Sequence, residues 1–363
     1  MELIRHTMFA DNLPHRMYDN ISTDVYKFIR DIPKAELHLH LEGAIPWSIA
    51  RANSNYHLSS TPQWWEPDYR FQSFDEFSDG PLGICYTNNF NTLDKYHLAA
   101  SQVFKKLEQQ NVRYVEISFG LTGPFQSGLS ISNIVTTIKA AASASLEVCV
   151  IAAFSRQHDL ENLDDLAAIV LNLPQLGGID IYCNEAVQDV SPFVGIYVEA
   201  NKRGLLTKVH AGEFGGSWSV AQTIQLLAPL HRIEHGTRAV EDEDLLIRLV
   251  SEGTILDLCP MSNVKLQVVK DLSSHPIRRL YDFGIPVTIS TDDPIVFGLT
   301  LTQELLLLIH HSIFSPLEIA QIQINAFKAA RMNEEKRNVL IKSVKDAVAS
   351  ITKSMDDRSN SVN

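Results

Sequence analysis

Long apolar runs are missing from this chain. No stretch approaches the roughly 18 consecutive apolar residues that a membrane-spanning helix requires. The opening segment, MELIRHTMFADNLPHRMYDN, lacks the apolar core of a secretion signal. Cysteine is scarce: Cys85, Cys149, Cys183 and Cys259 show no C-x-x-C pair and no disulfide-like spacing, which points to a reducing cytoplasm. Basic clusters are absent as well. With 31 Lys and Arg against 43 Asp and Glu, the net charge is −12, and an acidic surface repels phosphate backbones and anionic lipids. Nucleic acid and membrane surfaces are therefore excluded as partners. Internal repeats and low-complexity tracts are lacking too. The expected partner is a small molecule, and the oligomeric state is left open.

What is present is an ordinary globular composition: 45% hydrophobic and 20% charged over 363 residues, enough to bury one large core. From residue 34 onward, β-branched apolar runs alternate with amphipathic stretches. Strands are predicted over 35–41, 112–119, 147–154, 178–183, 205–210, 231–235, 254–259 and 285–291. Helices are predicted over 94–110, 129–146, 161–173, 191–203, 217–229, 240–252 and 275–283. Ser191-Pro192 offers a cap and a first-position proline for the fourth of these. Eight such units predict a (β/α)8 barrel, an α/β fold of the TIM type; an open doubly wound sheet would use only five or six of the runs. The stretch 54–93, with Trp64 and Trp65, reads as a partly helical insertion after the first strand. Helices over 301–312, 315–330 and 334–354 follow the last strand. One hydrolase domain spans 1–354, and 355–363 reads as a frayed tail.

Chemistry-bearing residues collect at the strand ends. In Glu36-Leu37-His38-Leu39-His40-Leu41-Glu42-Gly43, strand alternation turns His38 and His40 to one face and the leucines to the other. His210 closes the fifth run and is followed by Ala211-Gly212-Glu213. His235 closes the sixth, before Gly236; Asp292 and Asp293 close the eighth. Singly, each has an ordinary reading: a core histidine, a solvated loop glutamate, a turn, a helix cap before Pro294. Jointly, they sit at the C-terminal ends of four strands, which in a barrel converge on the mouth where active sites lie. Core packing gives no reason for unpartnered carboxylates there. Three imidazoles and a carboxylate suit one Zn²⁺ with a position left for water, and imidazole also accommodates Fe or Ni. Such an ion lowers the pKa of bound water to about 7. Glu213 is then a candidate proton donor, with His235 and Asp292 as partners of the attacking water.

At these residues the sequence resembles the adenosine deaminase family, metal-dependent (β/α)8 aminohydrolases of purines. The stretches that carry the resemblance are ELHLHLEGA (36–44), HAGE (210–213), RIEHGT (232–237), LCPMSN (258–263) and STDDP (290–294). The resemblance implies one Zn²⁺ per chain, held by His38, His40, His210 and Asp292. It implies that Glu213 protonates the ring nitrogen beside the amino-bearing carbon and that His235 holds the attacking water. Asp293 would hydrogen-bond the purine N7. Hydrolysis releases ammonia and leaves a keto-purine.

Three places depart from the family pattern. Glu42 stands where an Asp usually meets a ribose 5′-hydroxyl. Cys183, in Asp180-Ile181-Tyr182-Cys183-Asn184-Glu185, stands where a glycine lets the backbone approach the purine. Val264-Lys265-Leu266 stands where a T-G pair is frequent. The reaction is therefore expected to be kept while the substrate is left open among adenosine, adenine, a modified adenosine and another aminated heterocycle. Glu42, Cys183 and Asp293 are the expected substrate contacts. Other readings are a mononuclear hydrolase of another C–N, ester or lactone bond, and a catalytically silent binding protein on the same fold. No lysine ends the fourth strand to bridge two metals, and the missing C-x-x-C excludes the cytidine-type zinc deaminases despite His40-Leu41-Glu42. Trp64-Trp65 reads as packing rather than as a lid, His275-Pro276 as a helix cap, and the Cys183 thiol as pocket wall.

Overall fold

The computed structural model describes residues 21–361 apart from Tyr56. Eight parallel strands stand in chain order: β1 (Lys34–His40), β2 (Val112–Gly120), β3 (Glu147–Ser155), β4 (Gly178–Tyr182), β5 (Leu206–Ala211), β6 (Arg232–His235), β7 (Ile255–Leu258) and β8 (Val287–Ile289). The chain beyond β8 returns to β1. The His40 N–H donates to the Asp292 carbonyl and the Asp292 N–H to the His38 carbonyl, each at 3.0 Å. Ser290 Oγ accepts from the Leu37 and His38 amides at 3.2 and 3.1 Å. Sequential order and this return make the sheet the expected (β/α)8 barrel and rule out the open sheet.

Local signals account for where the helices begin. Ser22, Thr92, Ser130, Asp242, Thr300 and Ser315 each accept the backbone N–H three residues on. Ser191 does not cap as expected. It lies inside a 3₁₀ turn, Ser191–Phe193, and its own N–H donates to Asp189 Oδ1 at 2.9 Å. The helix Glu334–Ser361 runs through most of the stretch expected to fray from 355, because it holds neither proline nor glycine to end it. The termini, 1–20 and 362–363, lie outside the described residues. Among the described residues no helix is long and apolar enough to cross a membrane.

Strand alternation divides the barrel into two fillings. Leu37, Leu39, Val115, Ile117, Val209, Ile233 and Leu256 are buried with the surrounding helices in the apolar core. Inside the barrel the filling is charged rather than aliphatic. Lys208 on β5 pairs with Glu234 on β6 and reaches Glu116 on β2 at 3.4 Å. Arg232 on β6 pairs with Glu116 and with Asp257 on β7, the latter at 3.0 Å. Thr288 donates to Asp257 at 2.6 Å and Tyr114 to Glu116 at 3.0 Å. Mutual pairing offsets the desolvation these groups suffer. The result is an anionic floor beneath the C-terminal mouth.

The insertion, entered from the helix Trp47–Ala52, folds as short helices, Phe74–Phe77 and Gly83–Tyr86, with a 3₁₀ turn Gln63–Trp65 and a π turn Ser78–Leu82. Lys265 ties it down. Its Nζ donates to the carbonyls of Trp64 and Glu66, and its own carbonyl accepts from Phe71 N–H at 2.9 Å. Trp65 Nε1 donates to the Ile295 carbonyl at 2.6 Å, and both tryptophans pack on Trp47. That is the packing role expected of them.

Candidate functional site

Four donor atoms meet above the anionic floor. His38 Nε2 and His40 Nε2, both from β1, each lie 3.2 Å from His210 Nε2 at the end of β5. They lie 3.4 and 3.3 Å from Asp292 Oδ1. Donors at about 2.0–2.1 Å from a tetrahedral ion stand about 3.3 Å apart. Imidazole nitrogens at such distances set lone pair against lone pair unless a cation lies between them. The outer nitrogens agree. His210 Nδ1 faces Glu234 at 2.9 Å and Asp180 at 3.2 Å, so it holds the ring proton and Nε2 offers its lone pair. His38 Nδ1 faces the Asp257 carbonyl at 3.4 Å. The donor set fits a single divalent ion.

Two further groupings invite comparison. His235 lies within ligating range of His38, His210 and Asp292. It is the weaker fit, because its Nε2 is 3.9 Å from Asp292 Oδ2 whereas His40 closes to 3.3 Å on Oδ1. Asp180, His210 and Glu234 also cluster, but Lys208 already pairs with Glu234, and of the three only His210 lines the cavity. A second metal has no place there.

Asp292 takes up a left-handed backbone, φ 62°, which turns its carboxylate inward. Its other oxygen accepts from Ser262 Oγ at 2.7 Å. Glu213 sits on a loop held from beneath by the Glu185 carboxylate. That group accepts from the amides of Gly212, Glu213 and Gly215 at 2.8, 2.5 and 2.7 Å, and from Ser219 Oγ. Arg156 fixes the neighbouring His210 carbonyl. The Glu213 carboxyl is buried, and its Oε1 has no hydrogen-bond partner. Burial, and then the Asp292 charge, push its pKa well above the usual carboxylate range, which favours the protonated carboxyl. His235 Nε2 lies 3.5 Å from that oxygen. Burial and the neighbouring His38 hold His235 well below the usual imidazole range, so its ring is neutral.

A cavity of about 630 Å³ opens over these groups, within the range of small-molecule sites. Its walls include Glu42, Tyr182, Cys183 and Asp293, with Phe74, Phe77, Leu82 and Tyr86 from the insertion. Glu42 is braced by the Gly120 N–H at 2.9 Å. Cys183 holds φ 76° with its Sγ 3.4 Å from Ser155 Oγ, and burial pushes the thiol up to about 11, an unreactive wall as expected. Asp293 Oδ1 is buried without a partner, and burial together with Asp292 raises this carboxyl to about 8. Gly43 leaves room for it, since a Cβ there would lie 1.7 Å from that oxygen.

The candidate site residues His38, His40, Glu42, Cys183, His210, Glu213, His235, Asp292 and Asp293 therefore lie at one mouth. Sequence reading assigned no role to Arg156, Glu185, Ser262 or Asn263. The last two lie inside the LCPMSN stretch, and Glu185 ends the run that holds Cys183; those stretches were the available signal.

The chain matches the adenosine deaminase family over residues 33–347. An adenine deaminase of Rhizobium meliloti (strain 1021) is 32% identical over 321 residues, covering 85% of this chain and 97% of that protein. Among solved structures, an adenine deaminase from Arthrobacter aurescens is similar with a TM-score of 0.77 at 27% identity, over 88% of this chain and 99% of that one. An amidohydrolase from Burkholderia ambifaria, solved with bound Zn, shares the fold with a TM-score of 0.78 at 20% identity, over 93% and 97% of the two chains. The family match encloses all eight strands and every member of the donor cluster. The chain belongs to the adenosine deaminase family, as a metal-dependent aminohydrolase that deaminates aminated purines.

Proposed function

We propose that this protein is a zinc-dependent deaminase of an uncharged purine base, adenine foremost. One observation carries the reading: a buried Glu213 carboxyl, whose Oε1 has no hydrogen-bond partner, shares a cavity with a four-donor cluster suited to Zn²⁺. His38, His40, His210 and Asp292 would hold the ion. When bound, Zn²⁺ supplies the Lewis acidity that makes water a nucleophile near neutral pH.

The remaining work falls to the chain's own groups. Protonated Glu213 gives its proton to the ring nitrogen beside the amino-bearing carbon, which makes that carbon electrophilic. His235 Nε2 and Asp292 Oδ2 flank and orient the water that adds to it. The C–N bond then breaks, ammonia leaves, and a carbonyl remains. Asp293 retains a proton below about pH 8 and can donate it to the ring N7, an acceptor. Glu42 and Cys183 wall the far edge of the base.

Charge supports an uncharged substrate. Asp75 and Asp79 line the cavity with no Lys or Arg among its described lining residues, a field that repels a phosphate. Named adenine deaminases aligned along nearly their whole length support the free base. The test is ammonia release by zinc-loaded protein from adenine, adenosine and AMP. Adenine is expected to be fastest, adenosine slower by about tenfold or more, and AMP inert. Equal rates on AMP and adenine would overturn the uncharged-base reading; no ammonia from any of the three would overturn the reading as a whole.

A further inference from the structure

We infer that Asn263 and His275 are positioning residues, which fix His235 as the Nε2–H tautomer through a one-directional hydrogen-bond chain. The inference rests on the deaminase reading for its meaning but not for its geometry. The chain starts at a group that can only donate. The backbone N–H of Ile277 donates to His275 Nδ1 at 3.0 Å. That nitrogen must present a lone pair, so the proton of the neutral ring sits on Nε2. His275 Nε2 lies 3.1 Å from Asn263 Oδ1 and donates to it. Thr237 Oγ1 donates to the same oxygen at 2.7 Å.

With its oxygen so occupied, Asn263 turns its NH₂ toward His235 Nδ1 at 3.1 Å. Turning the amide over would set NH₂ against the His275 N–H, donor against donor. His235 Nδ1 therefore accepts, and the ring proton is left on Nε2. That proton points between Glu213 Oε1 at 3.5 Å and Asp292 Oδ2 at 3.9 Å. Asn263, His235 and His275 are all at most 5% exposed, so solvent does not reset the polarity. Burial also holds His275 down to about 3, far from the point where a second proton would reverse the chain.

A consequence follows for the reaction. In this tautomer His235 donates to the oxygen of the attacking water and does not take its proton; Asp292 Oδ2 is left as the acceptor. The helix-cap role expected of His275 is present in its contact with Ile277, but its other nitrogen does the setting.

The experiment measures the ¹⁵N shifts of His235 in zinc-loaded, histidine-labelled protein, assigned with a His235→Gln variant, alongside kcat, KM for adenine and zinc content. Wild type is expected to show a protonated Nε2. Asn263→Asp presents an oxygen to Nδ1 and should move the proton there. Its kcat should fall on the order of 10²–10⁴-fold, as wrong-tautomer variants do, with KM and zinc content little changed. His275→Gln keeps a donor to Asn263 and should stay close to wild type, whereas His275→Phe should not. A protonated Nδ1 in wild type, or wild-type kcat in Asn263→Asp, overturns the inference. Nitrogen shifts need no turnover. A wild type that shows Nε2–H but deaminates nothing would therefore overturn the deaminase reading and leave the tautomer assignment standing.

Discussion

On the proposed reading, Cys183 is the residue on which the choice between base and nucleoside turns. Its φ of 76° belongs to the region glycine favours, yet a side chain occupies it and lines the cavity. A non-glycine residue held there is strained by about 1–3 kcal/mol. Cys183→Gly should relieve that strain and open the wall. The adenosine-to-adenine ratio of kcat/KM is expected to rise about tenfold, with unfolding free energy unchanged or raised; an unchanged ratio would remove Cys183 from the specificity argument. Much at this scale was legible in the sequence. His38, His40, His210, His235 and the Asp292-Asp293 pair are residue types that a strand end rarely needs for packing. Asn263 and His275 were not legible. Their roles depend on hydrogen-bond direction among β6, the short helix Pro260–Lys265 after β7 and the entry to the helix Ile277–Phe283 before β8, and no spacing in the chain encodes that.

At the scale of elements, most strand boundaries fell close to expectation, and β8 is the instructive exception. The run 285–291 predicted a longer strand than Val287–Ile289. Beyond Ile289 the backbone turns to pair with β1, where Asp292 exchanges hydrogen bonds with His38 and His40. Closing the barrel thus shortens the strand and delivers the ligand. Two carboxyls are sealed in near this junction. Glu36 on β1 is raised to about 8 by burial, and Glu304 on the helix Leu301–His310 is raised to about 8 by burial with help from Glu36. The folded state therefore keeps protons that the unfolded chain sheds above about 4.5. Stability from these groups is fully present below that value and is lost as pH rises toward 8. Glu304→Gln keeps the acceptor for the Met261 N–H and removes one such proton. In urea titrations at fixed zinc, the decline between pH 5 and 8 should flatten by up to roughly 1.4 kcal/mol per pH unit. An identical slope in the variant would show that Glu304 titrates normally.

At the scale of the whole molecule, the barrel carries chemistry on one face because all eight strands point the same way. Its charged interior supports that face: Glu234 orients His210 from below, and Lys208 and Arg232 balance the carboxylates around it. The barrel was legible as eight alternating runs. The charged filling was not, because Lys208, Arg232 and Glu116 look like solvent-facing residues until the sheet closes around them. The insertion was legible as an element, but its contribution to the cavity came from Phe74, Phe77 and Tyr86 rather than from its tryptophans. The proton-donor role proposed for Glu213, at a metal centre it does not help to build, is the point on which the proposed function stands. It is tested most directly by the rate of ammonia release from adenine in Glu213→Gln, compared with wild type at equal, measured zinc content. One zinc per chain is expected in both proteins, with a loss of kcat of about 10²–10⁴-fold in the variant. Wild-type turnover in the variant, or loss of zinc along with activity, would contradict it.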